Sequence, residues 1–134
     1  MTPIQKGPYL YAYSGRNEPD AGLDCWSLQT GERLWREEVT WKKQVGPWSY
    51  GWGFFRGTLL KADQKVFALG EMGTLALLEL SPEGMEITCQ AELFSADQSW
   101  VLPAISRGLL YVSQNRPDLG TKAPPRLLCY DLRR

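Results

Sequence analysis

A chain of 134 residues, 43% hydrophobic and 22% charged, is long enough for a packed domain and too apolar to stay disordered. Fifteen basic residues balance fifteen acidic ones and no basic run is present, which argues against a phosphate-tracking nucleic-acid binder. Histidine is absent, so histidine-dependent triads are excluded and the commonest metal ligand is missing.

Cys25, Cys89 and Cys129 show no C-x-x-C spacing, so neither a metal site nor a disulfide framework is expected, and all three read as buried thiols. No apolar run approaches the roughly 20 residues that cross a bilayer. Met1 to Pro8 lacks the apolar segment of an export signal, so the expected location is cytoplasmic as written, or periplasmic or secreted with an upstream segment.

In chain order, Leu10-Tyr11-Ala12-Tyr13 places an aromatic after an aliphatic and reads as a strand. A loop, Ser14 to Ala21, separates it from the alternating strand that ends in Cys25-Trp26-Ser27-Leu28. Thr30-Gly31 supplies a turn whose positive-φ position glycine takes cheaply, and Leu34-Trp35 begins the returning strand. The charges of Glu32-Arg33 and Arg36-Glu37-Glu38 read as a solvated strand face. No strand is evident ahead of Leu10, although Thr2 to Gln5 is a short candidate for exchange between copies.

Between about 41 and 56 lies an insertion holding three of the six tryptophans, Trp41, Trp48 and Trp52. Its Gly-Pro step and alternating glycines argue against a helix or a regular strand. Next come strands near 58–62, 65–70, 74–80 and 85–93, with a Ser81-Pro82-Glu83-Gly84 turn before the last. Leu102 to Ser106, Leu110 to Ser113 and Cys129 to Leu132 repeat the first three of these.

Cys25, Leu77 and Cys129 head equivalent segments, 52 residues apart at both steps. Four short antiparallel strands at a period near 50 mark a β-propeller blade. The fold class read here is therefore all-β, with antiparallel four-stranded blades of a partial propeller, about two and a half to three per chain. The blades fall at about 8–40, 57–94 and 99–134, with the aromatic insertion between the first two.

These residues resemble the quinoprotein-like, or PQQ-like, β-propeller repeat family, whose blades carry Ala-x-Asp-x-x-Thr-Gly-x-x-x-Trp; here the pattern falls on Cys25, Ser27, Thr30, Gly31 and Trp35. The likeness extends over Tyr13 to Arg16, Thr30 to Trp35, Gly70 to Ala76 and Leu127 to Arg133, as in the C-terminal blades of the family. It implies that Thr30, Gly31 and Trp35 form a structural docking motif in which the indole locks onto a neighbouring blade's turn. Ser27 replaces the usual aspartate, and the later blades keep only Glu79 and Asp131 of the motif. Family enzymes hold their quinone with calcium beside a vicinal cysteine pair, and no such pair occurs here. The resemblance thus implies the fold without the dehydrogenase activity, no cofactor and no catalytic residues.

Family propellers close with about seven or eight blades. A partial ring implies either the rest of a longer propeller or association of copies, a dimer with about six blades being the simplest closed form. In a propeller the insertion would share one face with Ser14 to Ala21 and Gln114 to Pro125. That face gathers the candidate partner- or ligand-binding residues Arg16, Asn17, Trp41, Trp48, Tyr50, Trp52, Glu71, Asn115 and Arg116, a mixture suited to a sugar ring or a peptide. The same aromatics equally suit a cover over the sheet ends or an inter-subunit contact. The expected function is a non-enzymatic interaction module that self-associates, with a carbohydrate- or peptide-binding propeller as the alternative and a quinone-dependent oxidoreductase remnant as a third.

Overall fold

Alternation of apolar and polar side chains runs almost from the start of the chain. Every regular element among the described residues, 2–16 and 20–133 of this computed structural model, is a β-strand. β1 (Ile4–Lys6), β2 (Tyr9–Ser14), β3 (Gly22–Ser27) and β4 (Arg33–Glu37) form an antiparallel sheet in chain order. β5 (Thr40–Val45) and β6 (Trp48–Gly53) make a separate two-stranded hairpin. β7 (Thr58–Ala62), β8 (Lys65–Leu69), β9 (Thr74–Ser81) and β10 (Gly84–Glu92) form the second antiparallel sheet, and β11 (Ala104–Ser106), β12 (Leu109–Gln114) and β13 (Arg126–Asp131) the third. None of these elements is a helix long and apolar enough to cross a membrane.

The three sheets stack in chain order through two apolar layers. Tyr11, Leu23 and Cys25 of the first sheet meet Val66, Ala68 and Leu78 of the second in one buried cluster. Leu69 of the second sheet meets Leu110 and Val112 of the third in another, with Phe94 and Ala96 from the connection between them. Each pleated strand turns alternate side chains to opposite neighbours, so a middle sheet is apolar on both faces while an end sheet needs only one. In β9 the residues toward the first sheet, Ala76, Leu78 and Leu80, are buried, those on the other face, such as Leu75 and Leu77, are only partly so, and β13 has no buried residue.

Three sequence expectations are corrected. The insertion is regular: Val45 pairs with Trp48 across a two-residue turn, and Gly46 takes the positive-φ first position (φ 60°) that suits a hairpin turn. The glycines read as breakers sit inside β6, where Gly53 lets the Val39 carbonyl approach to within 2.6 Å of the point a Cβ would occupy. The first sheet does have a leading strand, since Ile4 pairs with Tyr11 and Lys6 with Tyr9. A strand of three residues is too short to show alternation. Finally, only Cys25 is buried, whereas Cys89 and Cys129 are exposed. Cys129 keeps the same pairing as Cys25, with Tyr111 in place of Tyr11, but no further sheet covers its face among the described residues.

Candidate functional site

The hairpin and the connections after β2, β8, β10 and β12 meet at one end of the stack. Ala21, Trp52, Phe55 and Met72 form a small buried core there, with Trp41, Val45, Tyr50 and Leu119 packed around it. Trp52 is fully buried, and its indole N–H donates to Thr74 Oγ1 at 3.3 Å. The Lys43 ammonium lies 4.1 Å from the Trp52 ring centroid, donates to Ser95 Oγ at 2.6 Å, and pairs with Glu92. A cation against an indole face, further bound by a hydroxyl and a carboxylate, fastens the hairpin to the end of the second sheet. Trp41 is half-buried and meets Phe54 edge-on at 5.9 Å.

The loop after β12 is held by Asp118. Its carboxylate is 7% exposed and accepts from the backbone amides of Ser95 (3.0 Å), Gly120 (2.9 Å) and Thr121 (2.8 Å). Burial pushes the Asp118 carboxyl up, but these donors outweigh it and hold the group below the usual aspartate range. Leu119 is thereby set against the hairpin tip. Between them opens a cleft of about 240 Å³ walled by Val45, Pro47, Trp48, Tyr50, Leu119 and Lys122. Trp48 is 67% exposed and Tyr50 half-buried, so the cleft offers flat apolar surface beside an ammonium group.

A second cluster lies at the turn between β8 and β9. Glu71 is 1% exposed, and its Oε2 accepts from Arg56 Nε at 3.0 Å and from the Trp100 indole N–H at 2.7 Å. The Arg56 guanidinium stacks 4.6 Å from the Trp100 ring centroid. The Glu71 backbone carbonyl accepts from the Ser99 amide at 2.8 Å, while Glu71 Oε1 and Ser99 Oγ are buried without a hydrogen-bond partner. Trp100, Val101 and Leu102 follow as an exposed apolar run. Arg116 donates to Gln98 Oε1 at 2.5 Å, tying the third sheet's loop to the same connection.

The predicted site residues therefore separate. Trp48 and Tyr50 share the cleft, Arg16, Asn115 and Arg116 are exposed, and Asn17 lies outside the described residues. Trp52 and Glu71, expected on the presented surface, are instead interior: one roofs the sheet ends and the other is neutralised by Arg56. Thr30 and Gly31 form the turn between β3 and β4, with Gly31 at φ 74°, and the Trp35 indole donates to the Ser81 carbonyl of the second sheet at 3.0 Å. Arg36, read as a solvated charge, is bound to buried Asp24 at 3.2 Å, and Ser14 donates to the same carboxylate.

Trp100, Lys43, Asp24 and Asp118 escaped the sequence reading. For Asp118 a signal existed, since Pro117-Asp118-Leu119-Gly120 has the composition of an Asx turn. Asp24 is one polar residue inside an alternating strand and Lys43 one charge on a hairpin, and neither pattern reveals its partner in sequence. Among the described residues no group of three or more His, Cys, Asp or Glu side chains is arranged to hold a metal ion. No family model matches the chain, and a search of curated proteins finds no match.

Proposed function

We propose that this chain is a non-enzymatic β-propeller interaction module whose three sheets act as consecutive blades and whose end faces bind further copies. One observation carries the reading. The Tyr11–Cys25 pair is buried against the second sheet, whereas the Tyr111–Cys129 pair, in the same register, ends in an exposed Cys129 flanked by Leu127 at 72% exposure. On the second sheet the covering residues are Val66 and Leu78, a cross-strand pair. Their register counterparts in the first sheet, Leu10 and Trp26, lie on the face turned away from the second sheet. A second copy offering its Leu10–Trp26 face to Tyr111–Cys129 would repeat the internal stacking head to tail.

Light scattering on a size-exclusion column across a concentration range tests this reading. It expects masses at multiples of 15.2 kDa, with a closed dimer as the simplest product. A monomer at every concentration overturns it.

The cleft at the hairpin tip favours a second reading, a propeller that binds a sugar ring or peptide against Trp48 and Tyr50. Saturable quenching of Trp48 by a glycan, lost in Trp48→Ala, supports that reading over self-association alone. A quinone-and-calcium site of the kind the family's enzymes carry does not fit the donors present. Among the described residues the buried carboxylates Asp24, Glu71 and Asp118 each accept from arginine, indole or amide donors, only Glu71 Oε1 being left over, and no three carboxylates converge. Added quinone and calcium are expected to leave the melting temperature unchanged.

A further inference from the structure

The second sheet copies the first residue by residue as far as its outer strand. Cys25 pairs with Tyr11 on one side and Trp35 on the other, and Leu77 pairs with Phe67 and Cys89 in the same way. Each outer strand carries one unpaired residue at the same point, Leu34 just before Trp35 and Thr88 just before Cys89. Cys89 therefore stands in the place of Trp35.

What fills that place differs. In the first sheet an indole packs 5.9 Å from Tyr11 and donates to the Ser81 carbonyl of the next sheet at 3.0 Å. In the second, a single thiol leaves an apolar groove of about 290 Å³ walled by Phe67, Leu75, Leu77, Ala91 and Leu132. By the shared register of Leu77 and Cys129, the counterpart of Ser81 in the third sheet is Arg133, next to Leu132 at the groove wall. The groove runs beside β10, an end strand of its sheet, whose edge lacks a neighbouring strand among the described residues. An extended segment can pair with such an edge while one of its side chains enters the groove.

We propose that this groove between the second and third sheets is a binding site for a tryptophan side chain carried on an extended segment of a partner polypeptide. Inside the chain, Trp35 is the template for that occupant: a planar apolar ring whose N–H meets a backbone carbonyl. The proposal does not depend on ring closure by copies, since the groove is present within one chain.

The test is titration of N-acetyl-tryptophanamide and of a Thr-Val-Trp-Val-Thr peptide into the isotope-labelled chain, following the amide resonances of Phe67, Leu77, Cys89 and Leu132. Saturable shifts at these four positions are expected, at least fivefold weaker for N-acetyl-leucinamide and at least tenfold stronger for the peptide. Cys89→Trp is expected to abolish them, because its own indole occupies the groove, and Cys89→Phe serves the same purpose if that variant fails to fold. Absence of saturable shifts, an equal response to the leucine amide, or an unchanged response in a folded Cys89 variant overturns the site. Equal affinity for amide and peptide overturns the assignment to an extended partner segment.

Discussion

The indole nitrogen of Trp35, on the outer strand of the first sheet, lies 3.0 Å from the backbone carbonyl of Ser81 in the second. The ring also lies against Tyr11, at 5.9 Å between centroids, so one side chain joins two sheets by both a hydrogen bond and packing. Trp35→Phe keeps most of the packing and removes the donor, at an expected cost of about 1 kcal/mol. Trp35→Ala loses both, and because the ring is half-buried the cost is about 3 kcal/mol, at the low end for truncating a tryptophan. Urea midpoints of the two variants, at unchanged slope, measure the difference.

Gly73 sits at φ 93°, and a Cβ there would lie 2.3 Å from the Phe94 carbonyl oxygen. Both the backbone conformation and the space require glycine, since the obstructing atom belongs to the main chain. Gly73→Ala is expected to destabilise the second sheet by about 1–3 kcal/mol, read as a lowered melting temperature.

Glu71 anchors both Arg56 and Trp100 from a buried position. Glu71→Gln retains the shape and removes the charge, and Arg56 is partly exposed, so the loss falls at or below the lower end for breaking a buried pair, about 2–3 kcal/mol. The Trp100 indole loses its charged acceptor at the same time. The Trp100 indole N–H proton resonance, held downfield by the charged acceptor, is therefore expected to move upfield in the folded variant, and an unchanged position would contradict the described contact.

Asp118 gives a pH dependence of known sign. Its folded-state value is depressed, so its contribution to stability is fully present above the unfolded aspartate value, about 3.9, and is lost as pH falls through the lower folded value. Protection of the Gly120 and Thr121 amides, relative to their intrinsic exchange rates, is expected to fall only below about pH 4. In Asp118→Ala the same amides exchange fast at neutral pH, and the buried Ser95 amide left unpaired costs about 1–3 kcal/mol.

The three thiols separate by access. Cys89 and Cys129 are exposed, whereas Cys25 is buried and burial pushes its thiol up. A thiol reagent is expected to modify two cysteines in the native chain and the third only on unfolding. If copies stack through the third sheet, modification of Cys129 slows with rising protein concentration while that of Cys89 does not.

Much of this architecture was readable wherever the local signals agreed. The second sheet's strands, expected near 58–62, 65–70, 74–80 and 85–93, are Thr58–Ala62, Lys65–Leu69, Thr74–Ser81 and Gly84–Glu92, because alternation and turn residues coincide there. The hairpin was missed because its Gly46-Pro47 turn and strand glycines are also loop signals, and only pairing across the turn separates the two readings. The interior fates of Trp52 and Glu71 depend on Thr74, Arg56 and Trp100, partners 15 to 29 residues away. Residue type marked both positions as notable and carried no information about which way they point.

The extra residues Leu34 and Thr88 occupy the same point in two outer strands. An inserted residue bends a strand and increases its twist in a fixed sense, so both sheets are deformed alike. The bulge at Thr88 lets Met85 and Ile87 pack toward the first sheet while Cys89 and Ala91, further along the same strand, line the groove on the opposite face. Deleting Thr88 restores unbroken alternation and puts one of these two sets on the wrong face of the sheet.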